Sequence, residues 1–134
     1  MGRDVVIVLD THAWFWLNHK PQRLSKPAAR AIEKADRIGI CAISIWEIAI
    51  KAEAGKLKFD RPYERWIDDA LAADARVTLL HLVPVVSVGA VRLSWDHGDP
   101  TDRFIVATAR AHDAPLVTSD ERIHASKLVR CIWD

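Results

Sequence analysis

The chain is 134 residues long, half of them hydrophobic, with 19 basic and 18 acidic side chains and a net charge of +1. That length fits one domain over residues 1–134 with a real core, and the composition excludes a disordered chain. The near-balance of charge excludes a protein that coats nucleic acid by bulk charge, while leaving a local basic rim open.

No apolar run approaches the ~18–20 residues of a membrane span. Met1 to Asp4 leads straight into a short apolar run without a signal-peptide pattern, so a cytoplasmic protein with no membrane partner is expected. Cys41 and Cys131 both sit in apolar, strand-like runs. They are expected to be buried free thiols, in keeping with a reducing compartment.

Val5 to Leu9 (VVIVL) is apolar without alternation, which predicts a central parallel strand covered on both faces. Asp10 and Thr11 follow it directly. His12 to Asn18 predicts a short helix with Ala13, Trp14 and Leu17 turned inward; Phe15 and Trp16 then fall towards His12, His19 and Lys20. Ser25 to Ala35 predicts a second helix, opened by Ser25 or Lys26 before Pro27. Ile38 to Ile43 predicts a second strand, and Ser44 to Ala54 a helix stopped by Gly55. After a connector over Lys56 to Asp60, Tyr63 to Ala75 predicts an amphipathic helix with acids at Asp68 and Asp69. Val77 to Leu82 predicts a third strand, and Pro84 to Trp95 a helix.

The next stretch carries the most information. Asp99 and Pro100 form a helix start, with Asp as N-cap and Pro at the first helical position. Phe104, Ile105, Thr108 and Ala109 then recur at helical spacing until Ala114-Pro115. Leu116 to Thr118 predicts a short buried strand, Glu121 to Ala125 a short helix, and Leu128 to Trp133 a last strand. Strands and helices alternate throughout, which predicts an α/β fold: a parallel sheet with helices on both faces.

Four acids fall at comparable places. Asp10 follows the first strand, Glu47 lies in the first turn of the helix after the second, Asp102 lies in a helix's first turn, and Asp120 lies just past a strand. Ligands of open α/β sheets bind outside the carboxyl ends of the strands. Carboxylates gathered there repel one another unless a cation sits among them, and such oxygen ligands suit Mg²⁺ or Mn²⁺. Two such ions roughly 3.5–4 Å apart can activate water in phosphodiester cleavage. Each acid also has a purely structural explanation. Asp10 could cap the following helix. Ser44 and Glu47 have the spacing of a capping box, and taken alone capping is the better account of Glu47. Asp99 reads as an N-cap only. Asp102 could complement a helix dipole, and Asp120 could cap the helix after it. That all four hold at one end of one sheet is the less economical account. The six histidines are scattered, and His97 is the one near the acids.

The combination resembles the PIN domain family, and within it the VapC-type ribonuclease toxins of toxin–antitoxin pairs. The matching pieces are Leu9 to Leu17 (LDTHAWFWL), Ser44 to Leu57 (SIWEIAIKAEAGKL), His97 to Ala109 (HGDPTDRFIVATA) and Leu116 to Ile123 (LVTSDERI). They span nearly the whole chain in the family's order. The resemblance implies a three-layer α/β/α sandwich around a mostly parallel sheet of about five strands. It implies a Mg²⁺- or Mn²⁺-dependent endoribonuclease whose catalytic and metal-binding acids are Asp10, Glu47, Asp102 and Asp120. Thr11 and Thr118 occupy the hydroxyl positions beside the first and last of these, and Asp99 shares a box with Asp102. Asp102 is favoured over Asp99 because the family's metal acid precedes an Ile-x-Ala pattern, here Ile105 to Ala107. Gly98 departs from the pattern, since many relatives carry a basic residue there. The partners implied are RNA, a VapB-like antitoxin and a second copy of the chain. Phe15 and Trp16, large aromatics among polar neighbours, are the candidate contacts for antitoxin or second copy, unless a helix such as Ser25 to Ala35 covers them. Two rival classes remain at this level. One is a PIN-like module that binds RNA or protein without cutting. The other is a Mg²⁺-dependent phosphatase of receiver type with Asp10 as nucleophile, which the lack of an acidic neighbour at Asp10 disfavours.

Overall fold

The computed structural model describes residues 4–134. The apolar runs pair as β1 (Val6–Leu9), β2 (Arg37–Cys41), β3 (Val77–Leu80), β4 (Leu116–Val117) and β5 (Cys131–Ile132), parallel throughout, in the order β3-β2-β1-β4-β5. Alternate side chains of a strand face opposite ways, and β1 feeds two separate cores. Ile7 and Leu9 join one cluster and Val8 the other, all three at 1% exposure or less. That two-sided burial is why the run carries no polar alternation.

The helices are α1 (Thr11–His19), α2 (Lys26–Lys34), α3 (Ala42–Glu53), α4 (Tyr63–Ala72), α5 (Pro84–Arg92), α6 (Pro100–Ala111) and α7 (Glu121–Ser126). Trp14 of α1, Ile32 of α2, Ile48 of α3 and Trp66 of α4 pack on the face that holds Ile7 and Leu9. Ile105 and Val106 of α6 and Ile123 of α7 pack on the face that holds Val8. This is the three-layer α/β/α sandwich with a five-stranded parallel sheet that the sequence predicts. No helix among the described residues is long and apolar enough to cross a membrane. Cys41 is buried and Cys131 half-buried, both as free thiols.

The caps obey local rules. Ser25 Oγ accepts from the Ala28 N–H and Pro27 sits in the first turn of α2. Gly55, at φ +71, follows the end of α3 in the left-handed region that a side chain resists.

Several boundaries differ from expectation. β2 ends at Cys41 and α3 starts at Ala42, two residues ahead of Ser44. Ser44 is therefore inside the helix, buried, with its Oγ accepting from the Thr11 hydroxyl at 2.9 Å. The capping box of Ser44 and Glu47 does not form. α4 stops at Ala72, and α5 stops at Arg92, short of Trp95. From the last turn of α5 onward the backbone carbonyls turn to Arg103, which bonds those of Ala90, Val91, Leu93, Trp95 and His97. β5 keeps only Cys131 and Ile132 because its partner β4 is itself two residues long. A short 3₁₀ turn at Pro21–Arg23 joins α1 to α2, with no counterpart among the expected elements.

Candidate active site

Sheet order locates the site before any side chain is considered. From β1 the chain winds outward through β2 and β3, then resumes on the other side with β4 and β5. β1 and β4 thus flank a topological switch point, where the connections leave in opposite directions and open a crevice past the strand ends. Asp10 stands there, its backbone N–H donating to the Val117 carbonyl of β4 at 3.0 Å.

The crevice is a cleft of about 190 Å³. Its walls bring together Asp10, Thr11, Glu47, Asp99, Asp102 and Asp120, with His12, Lys51, Ile105 and Arg122. Asp10 caps α1 as well as facing the cleft, since its Oδ1 accepts from the Ala13 N–H at 2.8 Å. The Thr118 hydroxyl favours the ionised form of its carboxylate. Burial outweighs both: Asp10 is 7% exposed, and desolvation, reinforced by Asp102 and Glu47, pushes its pKa from 3.8 up to about 6.

The other acids are held by different means. Glu47 projects from α3 and pairs with Lys51 one turn on, Oε2 to Nζ 3.4 Å. Lys51 also donates to His12 Nε2 at 3.2 Å, and burial and that ammonium hold the imidazole below its usual range. Asp99 is the N-cap of α6, accepting from the Thr101 N–H at 2.9 Å. Asp102 is three residues further on, with His97 Nε2 2.6 Å from its Oδ2. Its pKa is raised by burial first, with Asp99 and Asp120 adding to the rise and the His97 bond opposing it. Asp120 caps α7 through the Arg122 N–H at 2.8 Å, and its own N–H donates to Thr118 Oγ1.

Five carboxylates therefore share the cleft walls with Lys51 and with Arg122, whose guanidinium stands 3.7 Å from Asp120 and is 65% exposed. Burial first, and the neighbouring acids after it, raise the carboxyls of Asp10 and Asp102. The donor set is oxygen-rich and fits a hard divalent cation. Such a site, with cation-supplied charge beside a water or phosphate, suits phosphoryl chemistry.

The aromatic pair separates. Phe15 is 6% exposed and covered by the chain itself, packing on Trp66 of α4 and Phe59 of the α3–α4 connector at centroid distances of 5.4 and 5.7 Å. Phe15 is thus a core residue, and the expectation of an open contact there is corrected. The cover is α4, not the helix over residues 26–34. Trp16 stays half-buried, beside His12 at 5.7 Å and Trp133 at 5.8 Å, with the Arg23 guanidinium over its ring.

Sequence reasoning left out Lys51, Arg122 and His12 from the cleft, and it named His97 only as a neighbour. Lys51 was legible, since the fourth residue after Glu47 shares its helix face. His97 was not, because its approach depends on how Arg103 folds the preceding loop.

A doubly wound parallel sheet with acids converging at its switch point defines a class of α/β proteins built around a carboxylate cleft. The chain belongs to the PIN domain family, whose model matches residues 7–127, and within it to the VapC-type proteins. It is 39% identical over 130 residues to Ribonuclease VapC22 of Mycobacterium tuberculosis, covering 95% of this chain and 98% of that one. Its fold is similar to a structure of VapBC2 from Rickettsia felis bound to a promoter DNA fragment (TM-score 0.70, 18% identity, 97% of this chain and 100% of that one). It is also similar to VapBC-5 from Mycobacterium tuberculosis (TM-score 0.64, 19% identity, 97% and 99% coverage).

Proposed function

We propose that this chain is a divalent-cation-dependent endoribonuclease and the toxin half of a toxin–antitoxin pair. The observation that carries this reading is the convergence of Asp10, Glu47, Asp102 and Asp120 on one small cleft at the switch point. The 39% identity to a ribonuclease supports RNA as the substrate. Asp10 and Asp102 would hold the cation, Mg²⁺ or Mn²⁺. Glu47 and Asp120 would complete its surroundings, directly or through water, and one of them would orient the attacking water. The cation, when bound, supplies the positive charge that an in-line displacement at phosphate needs. Thr118 favours the ionised Asp10 carboxylate and holds the Asp120 N–H, Thr11 ties the start of α1 to Ser44, and Asp99 starts the helix that carries Asp102.

Two protein partners belong to this reading. A VapB-like antitoxin segment would cross Trp16 beside the cleft residue His12. A second copy of the chain would cover α5, where Val85, Val88 and Val91 are 69%, 46% and 79% exposed. The setting is the cytoplasm. The test is cleavage of RNA by purified protein with Mg²⁺ or Mn²⁺, its arrest by EDTA, and its loss in Asp10→Asn. RNA binding without cleavage at any tested cation would favour the non-cutting module instead.

A further inference from the structure

We propose that His97 is a direct ligand to the cleft cation, a nitrogen donor beside the carboxylates of Asp99 and Asp102. The proposal rests on the reading of the cleft as a cation site. The imidazole nitrogen and one oxygen from each of Asp99 and Asp102 lie within 4.8 Å of one another. Asp99 spends Oδ1 on its cap, which leaves its other oxygen for a ligand. The His97 side chain is only 13% exposed, and its Nε2 meets Asp102 Oδ2.

The loop that presents His97 is fixed at its backbone. Arg103 donates to the carbonyls of Trp95 at 2.8 Å and His97 at 3.0 Å, besides three earlier ones in α5 and the turn after it. The Trp95 ring packs against the imidazole with centroids 4.8 Å apart. A histidine that merely neutralises a surface carboxylate needs no such support, whereas a ligand must be held near its working geometry. As the chain stands, Nε2–H donates to Asp102 Oδ2; on taking a cation the ring would give up that hydrogen bond, shift its proton to Nδ1 and bind as neutral imidazole through Nε2. A nitrogen donor tilts the cleft away from Mg²⁺, which takes oxygen ligands, and towards first-row transition ions such as Mn²⁺. His12 lines the cleft itself, whereas His97 reaches it through Asp102, but the Nε2 of His12 accepts from Lys51, so it serves as the control.

The experiment is pulsed EPR on the full chain loaded with Mn²⁺, together with Mn²⁺ and Mg²⁺ titrations and thermal melts. Wild type is expected to show ¹⁴N modulation from a coordinated imidazole. His97→Gln should abolish it and His12→Gln should retain it. Mn²⁺ affinity should fall more than about tenfold in His97→Gln, and Mg²⁺ affinity less than about threefold. Mn²⁺ bound by wild type without ¹⁴N modulation, or modulation that survives in His97→Gln, overturns the assignment and leaves the cation site standing. Wild type that binds no Mn²⁺, or binding unchanged in Asp10→Asn, overturns both. The first readout uses wild type alone, so it stands even if a variant fails to fold.

Discussion

Replacing Asp10 by Asn should abolish cleavage and, in the absence of cation, stabilise the protein. The side chain is 7% exposed, so its electrostatics are little screened by solvent. A rise from 3.8 to about 6 means that ionising Asp10 in the folded state costs about 3 kcal/mol more than in the unfolded chain. Asn caps helices as well as Asp does, so the bond from the Ala13 N–H survives the change. Asp10→Asn should therefore gain up to about 3 kcal/mol above pH 6, or about 10 °C in melting temperature for a chain of this size. Pushed upward, Asp10 binds its proton more tightly when folded. Wild type consequently recovers stability as pH falls from about 6 to 3.8, and below 3.8 the advantage of Asn is gone. Thermal and denaturant melts in EDTA across that window measure the gap. Added Mg²⁺ or Mn²⁺ should raise the melting temperature of wild type and leave that of the variant unmoved. A variant no more stable than wild type above pH 6, or a gap independent of pH, would refute the view of Asp10 as a desolvated, uncompensated carboxylate.

Other substitutions separate structural from chemical roles. Asp99→Ala should cost about 0.5–2 kcal/mol through loss of the α6 cap and keep more turnover than Asp102→Ala, which should lose turnover at little cost in stability; melts and cleavage rates on the pair decide it. Phe15→Ala should cost about 3–5 kcal/mol, as core truncations do, whereas Trp16→Ala should melt closer to wild type and lose antitoxin affinity in a titration. Arg103→Lys keeps the charge but not the fork that serves five carbonyls. It should cost about 2 kcal/mol or more and speed hydrogen exchange across residues 91–97, with a loss of turnover through His97.

Much of the molecule was legible along the chain because the signals are local. The unbroken apolar run before Asp10 reports burial on two faces. Ser25 ahead of Pro27, Asp99 ahead of Pro100, and Gly55 after α3 each satisfy backbone groups within a few residues of themselves. Strand order follows from such pieces only through the handedness and brevity of connections, yet it suffices to bring the ends of β1 and β4 together. The acids that follow those strands were therefore visible as one group.

What the chain alone left undecided depends on partners distant in sequence. Ser44 has the spacing of a cap, but Thr11, 33 residues away, takes its hydroxyl into a buried bond. Phe15 lies on the polar side of a helical wheel, and only the return of Phe59 and Trp66 buries it. The last turn of α5 yields to Arg103 because five carbonyls gain a charged donor there, and this loop carries His97 to Asp102. Local pattern determines which segments are helix and strand. Tertiary structure decides whether a polar group caps its own helix, fills a core or faces the cleft, because the free energy of each choice rests on contacts that exist only after the layers close.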